Sequence, residues 1–89
     1  NQHFNILITG KVQGVWYRAS AHRKANELRL AGFVRNMPDG SVYAEAEGPV
    51  ENLRAFVEWC WEGPELAEVE NVDVQEDMPQ GFERFEIKR

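Results

Sequence analysis

Residues 33–47, FVRNMPDGSVYAEAE, decide the fold. Phe33 to Asn36 has extended character. Met37-Pro38-Asp39-Gly40 is a turn with a mechanism, because proline presets one dihedral and Asp-Gly accepts positive φ. From Ser41 to Glu47 the chain alternates strictly, with Val42, Ala44 and Ala46 on one side and Ser41, Tyr43, Glu45 and Glu47 on the other. The whole segment predicts an antiparallel hairpin with one buried face.

Upstream, residues 4–12 alternate in the same way, with Phe4, Ile6, Ile8 and Val12 facing one way and Asn5, Leu7, Thr9 and Lys11 the other. Residues 19–31 change period: Tyr17, Ala21, Ala25 and Leu28 fall at helical spacing, with Arg23, Lys24, Glu27 and Arg29 between them, which predicts an amphipathic helix. Gly32 is placed to end that helix in the left-handed conformation. Downstream, Gly48-Pro49 closes the hairpin, and proline suits the first turn of a helix over about 50–61. Val50, Leu53, Val57 and Cys60 share a face of that helix, Phe56, Trp59 and Trp61 widen it, and Gly63-Pro64 stops it. Residues 69–75 alternate again around Val72 and Val74, Asp77 to Gly81 is a turn-rich loop, and Phe85 and Ile87 mark a short last strand. Strand, helix, hairpin, helix, strand and a short terminal strand read as an α+β split βαβ sandwich, two helices on one face of a mostly antiparallel sheet.

The 89 residues form one domain at most, spanning 1–89. Hydrophobic residues are 43% and charged residues 28%, so composition favours a globular chain over a disordered one. No apolar run approaches the roughly 18 residues that span a bilayer, and no leader is read at the start. Cys60 is the only cysteine, which excludes an internal disulfide and favours a reducing, cytoplasmic setting. The net charge of −5 is uneven: residues 1–44 carry +4 and the remainder −9. That total argues against a general nucleic-acid binder but leaves room for a local anion site in the first half.

Gly10-Lys11-Val12-Gln13-Gly14-Val15-Trp16-Tyr17-Arg18 lies where such a site belongs. A loop leading into a helix presents unpaired N–H groups, and the helix dipole favours an anion there. Gly14 lets backbone approach a ligand, and Arg18 offers a planar fork that matches phosphate. Taken alone, the segment fits an anion cradle or an ordinary strand-to-helix loop.

Two strings decide between these. Gly10-x-Val12-Gln13-Gly14-Val15-x-Tyr17-Arg18 closely resembles the first signature of the acylphosphatase family. Gly32-Phe33-Val34-x-Asn36-x-x-Asp39-Gly40-x-Val42, continued to Gly48, resembles its second, and the aromatic-x-Ile strand at Phe85–Ile87 extends the likeness over nearly the whole chain. The resemblance implies a ferredoxin-like sandwich that hydrolyses acyl phosphates to carboxylate and phosphate. It implies that Arg18 and the backbone amides of Gln13, Gly14, Val15, Trp16, Tyr17 and Arg18 bind the phosphate, and that Asn36 orients the attacking water. It implies no metal, no cofactor and no covalent enzyme intermediate, with the substrate's own phosphate taking the proton. The expected partner is a small-molecule acyl phosphate; a monomer is expected, with no nucleic acid and no membrane. Trp16-Tyr17 departs from relatives that have a smaller residue and Phe, so Tyr17 brings a hydroxyl that needs a partner. Met37 stands where some relatives carry a small polar residue.

The alternative is a non-catalytic or accessory phosphate-binding module of the same family. Such domains occur inside larger proteins, including hydrogenase maturation factors, where a proline is usual at the position of Ala19. Single-stranded RNA on the open sheet face is a further reading, opposed by Glu45 and Glu47 beside Tyr43. His22 is expected on the helix surface, His3 at a loose terminus, and Cys60 in the core. One of Trp59 and Trp61 is expected to be exposed, and the acids from Glu62 to Glu86 form a solvated surface.

Overall fold

A computed structural model describes all residues, 1–89. The elements are β1 (Gln2–Lys11), α1 (Tyr17–Glu27), β2 (Ala31–Asn36), β3 (Val42–Gly48), α2 (Val50–Glu62), β4 (Glu68–Asp77) and β5 (Phe85–Lys88). The strands form one sheet in the order β4-β1-β3-β2-β5. β3 runs antiparallel to both β1 and β2, so β1 and β2 are parallel with a strand between them, the split βαβ arrangement. β4 is antiparallel to β1, and β5 alone pairs in parallel, with β2. No helix is long and apolar enough to cross a membrane.

Alternation in β1 and β3 explains the core. Ile6, Ile8, Val42, Ala44 and Ala46 are buried on the face that receives Ala21 and Ala25 of α1 and Leu53, Phe56 and Cys60 of α2. Phe56 is fully buried, which is worth about 1.5–3 kcal/mol relative to leaving it in water. Trp59 packs at the rim against Tyr17 and Phe56, whereas Trp61 faces solvent.

The first helix differs from its expected span. It stops at Glu27, and the residue that turns left-handed is Arg29, at φ 56°. Leu30 N–H bonds to the Ala25 carbonyl and Arg29 N–H to that of Asn26, a Schellman end built without glycine. Gly32 instead lies inside β2, where an added Cβ would sit on the Glu45 carbonyl oxygen and 2.7 Å from its carbon. Its glycine serves close strand approach, not helix termination. β1 begins two residues before the expected 4–12 and ends one residue short of it, at Lys11, while β4 extends beyond the expected 69–75 at both ends, following the pairing from His3–Asp77 to Lys11–Glu68.

His3 is not at a loose end. It lies within β1 and is fully buried. Its Nδ1 faces Glu47 Oε1 at 2.9 Å, and its Nε2 faces Glu45 Oε1 and Asn5 Oδ1, each at 2.9 Å. All three partners are acceptors, so both ring nitrogens carry hydrogen. Burial opposes that charge, but the bonds to Glu47, Glu45 and Asn5 outweigh it and raise the His3 pKa above 6.5. Glu47 points to the outer face as expected yet is buried, because residues 80–82 fold over it. Its carboxylate accepts the backbone N–H groups of Gln80, Gly81 and Phe82, and the Phe82 ring stacks on His3 at 5.7 Å.

Candidate active site

The segment between β1 and α1 is pinned from beneath. Val12, Val15 and Tyr17 are buried, and the Tyr17 hydroxyl donates to the Cys60 carbonyl at 2.7 Å. That bond supplies the partner its hydroxyl needs, and burial pushes the Tyr17 pKa well up. Between two buried neighbours, Trp16 takes a left-handed conformation (φ 67°, ψ 22°) and turns its ring outward, 75% exposed. A non-glycine residue pays about 1–2 kcal/mol for that conformation. Such strain persists only where the surroundings over-determine it, and it clusters at functional sites.

The same bend frees a run of donors. The first backbone bond at the start of α1 runs from Ser20 N–H to the Trp16 carbonyl at 3.1 Å, and the N–H groups of Gln13 to Arg18 make none. No acidic residue lies in the first turn of α1, so nothing on the helix offsets the positive end of its dipole. Gly14 is also left-handed (φ 72°), with open space where a Cβ would stand.

The Gln13 side chain does something the sequence did not show. Its Nε2 donates to the carbonyls of Met37 and Ser41, both at 2.8 Å, and so ties the loop to the hairpin turn. The turn is braced further by Asp39, whose Oδ1 accepts the Ser41 hydroxyl at 2.6 Å and the Ser41 N–H at 2.9 Å. Those two bonds, the hydroxyl first, hold the Asp39 carboxyl below its ordinary range. None of the turn's bonds uses the carboxamide of Asn36, which closes β2 opposite Val42. Met37 contributes its backbone to this network, through its carbonyl and through its N–H to the Ser41 carbonyl at 2.8 Å.

Arg18 is half-buried in the first turn of α1. Its Nη1 donates to the Lys88 carbonyl at 3.1 Å, and no carboxylate pairs with it. The remaining guanidinium donors are therefore available.

A cavity of about 380 Å³ gathers these groups. Gly14, Trp16, Tyr17, Arg18 and Asn36 line it, together with Val12, Ala19 and Ile87. Of the residues singled out from sequence, Gln13 and Val15 keep their side chains out of it, the first bound to the hairpin and the second in the core. Ile87 and the Lys88 carbonyl were missed. The only available signal was the aromatic-x-Ile pattern of β5, which sequence alone ties to the fold rather than to a cavity. His22 lies on the flank of α1 beside Phe85, outside the cavity lining. The arrangement can hold a tetrahedral oxyanion against a guanidinium and free amides, with a neutral carboxamide alongside.

The acylphosphatase family model matches residues 4–87. An acylphosphatase of Methylococcus capsulatus is 52% identical over 86 residues, covering 96% of this chain and 94% of that protein. The crystal structure of acylphosphatase from Bacillus subtilis superposes at a TM-score of 0.98 over 100% of both chains, with 36% identity. Full-length HypF, solved in a phosphate- and nucleotide-bound form, matches at a TM-score of 0.88 and 28% identity, over 99% of this chain but 12% of that one. A family match that runs nearly from end to end, with relatives alike over their full length, leaves one assignment: the chain belongs to the acylphosphatase family.

Proposed function

We propose that this protein hydrolyses the carboxyl–phosphate bond of acyl phosphates, with Arg18 and the amides of Gln13 to Arg18 holding the phosphoryl group and Asn36 aligning water. One observation carries the assignment of roles. Arg18 and Asn36, from separate elements, line a single cavity beside a run of N–H groups that have no backbone acceptor.

The chemistry asks little more of the protein. An acyl phosphate is a mixed anhydride whose carboxylate leaves readily, so positioning and charge stabilisation supply most of what is needed. Water adds to phosphorus as the bond to the acyl oxygen breaks. The electron pair departs with the carboxylate, and the water proton passes to a phosphoryl oxygen. Arg18 and the loop amides stabilise the charge on the non-bridging oxygens through that change. Asn36 both donates and accepts without titrating near neutrality, so it can hold water in line. The guanidinium and amides supply the positive field, and the reading includes no metal requirement. We place the protein in the cytoplasm as a monomer acting on a small molecule, which accords with a buried free thiol at Cys60 and an acidic overall charge.

The test is hydrolysis of benzoyl phosphate and acetyl phosphate in the presence of a chelator. Arg18→Gln should weaken competitive inhibition by inorganic phosphate and lower kcat/KM by about 10²–10³. Asn36→Ala should lower kcat by a similar factor while phosphate still binds. Full activity in both variants would dismiss the assigned roles, and an unmodified protein that binds phosphate without turnover would leave only a binding module.

A further inference from the structure

Five large apolar side chains stand exposed, Trp16, Trp61, Leu66, Met78 and Ile87, and two of them line the cavity that holds Arg18 and Asn36. Trp16 is 75% exposed and Ile87 43% exposed. Both exposed side chains face the same cavity. An indole held outward by a left-handed backbone costs strain and apolar hydration together. Ile87 sits on the edge strand β5, one residue before the carbonyl that holds Arg18.

The cavity's lining also divides by chemistry. Gly14, Arg18 and Asn36 offer polar groups, while Trp16, Ala19 and Ile87 offer apolar surface. At about 380 Å³ the space lies in the range of pockets that take small organic molecules, about 300–1,000 Å³, and is roomier than a tetrahedral oxyanion requires. An acyl phosphate has two parts with matching needs: a dianionic head and an acyl group. No cationic or anionic side chain other than Arg18 lines the cavity. A charged acyl group would therefore find no partner there, and an apolar one would cover surface that water now wets.

We propose that Trp16 and Ile87 form the wall against which the acyl group packs, so that the enzyme selects acyl phosphates with apolar and above all aromatic acyl groups. This rests on the hydrolytic reading above and names the substrate class within it. An aromatic ring has the most to gain, since offset stacking on the indole adds to simple burial. Both residues are specificity determinants: they touch the part of the substrate that does not react.

The experiment measures kcat/KM for benzoyl phosphate and for acetyl phosphate and takes their ratio. The unmodified protein should favour benzoyl phosphate. Ile87→Ala should lower the ratio by roughly threefold, mainly through a higher KM for benzoyl phosphate, with acetyl phosphate turnover retained. Trp16→Ala should lower it by roughly tenfold, and Trp16→Phe should restore most of the loss because a ring remains to stack on. Ratios that stay within about twofold of the unmodified protein in Ile87→Ala and Trp16→Ala would overturn the proposal, as would a preference for acetyl phosphate at the outset. Absence of turnover with both substrates in the unmodified protein would instead refute the hydrolytic reading, so the two failures are distinct.

Discussion

Replacing Gln13 tests whether the proposed anion loop and the hairpin work as one unit. The Gln13 amide donates two bonds of 2.8 Å, to the Met37 and Ser41 carbonyls. Neither carbonyl is orphaned by its loss, since Met37 keeps the Gly40 N–H at 3.1 Å and Ser41 keeps the Met37 N–H at 2.8 Å. The cost is therefore that of two neutral hydrogen bonds without a full desolvation penalty, about 2 kcal/mol together. In a domain of this size that lowers Tm by about 8–16 °C. Gln13→Met, which keeps the length and removes the donors, should show this loss. Gln13→Glu should be worse at neutral pH, because a carboxylate would then face two carbonyl oxygens. Activity should fall beyond what stability explains: with the tie cut, Asn36 no longer has a fixed place relative to the loop amides, and misplacement by about 1 Å can cost about 10²-fold. Calorimetry together with benzoyl phosphate turnover decides the matter. A Gln13→Glu protein that melts at the unmodified temperature and turns over at the unmodified rate would refute the reasoning.

Further perturbations test the fold at the end of the sheet away from the site. The His3 pKa is raised above 6.5, so the stabilisation from its charge is complete below that pH and is lost as pH rises through the folded value. Glu47 is also buried, which alone would raise its pKa. The bonds from the Gln80 N–H, the His3 ring and the Phe82 N–H outweigh burial and hold it below 4.5, so its share is complete above that pH and is lost in acid. The difference in urea midpoint between the unmodified protein and His3→Gln should thus be largest between pH 4.5 and 6.5 and shrink as the pH rises beyond that window; a difference that stays constant into the alkaline range would contradict the assignment. Gly32→Ala should destabilise by at least about 3 kcal/mol, because its Cβ would meet the Glu45 backbone and its φ is 145°. Gly40→Ala, with open space around it, should cost only the backbone strain, and equal urea midpoints for the two variants would sink the argument from close strand approach.

What could be read in advance was what is local. The hairpin announces itself through strict alternation and an Asp-Gly turn, and the anion loop through glycines and an arginine within nine residues. The misreadings have a shared physical origin in partners distant along the chain. Gly32 carries the same letter whether it ends a helix or admits a neighbouring strand, and only its register opposite Ala46, against the Glu45 carbonyl, decides between them. Arg29 has no compositional mark of a helix end. The Schellman bonds of Arg29 and Leu30 establish it. His3 lies on the outward side of β1, and its burial comes from residues 80–82, more than seventy positions away.

The cavity itself depends on the one parallel pairing in the sheet. Val34 lies beside Ile87 and Arg35 beside Lys88. β2 and β5 therefore run in the same direction, and both end at the same edge of the sandwich, where α1 begins. Asn36 closes the first of these strands. Ile87 and the Lys88 carbonyl lie at the end of the second, and that carbonyl holds the Arg18 guanidinium. Had β5 run antiparallel to β2, its start would lie there instead, and Arg18 would lack its backbone acceptor while the cavity lacked one apolar wall. A four-residue strand gives no sign of its direction in its own sequence. Pairing direction thus sets where the proposed acyl wall stands, although every group assigned to the phosphate was visible in a single stretch of chain.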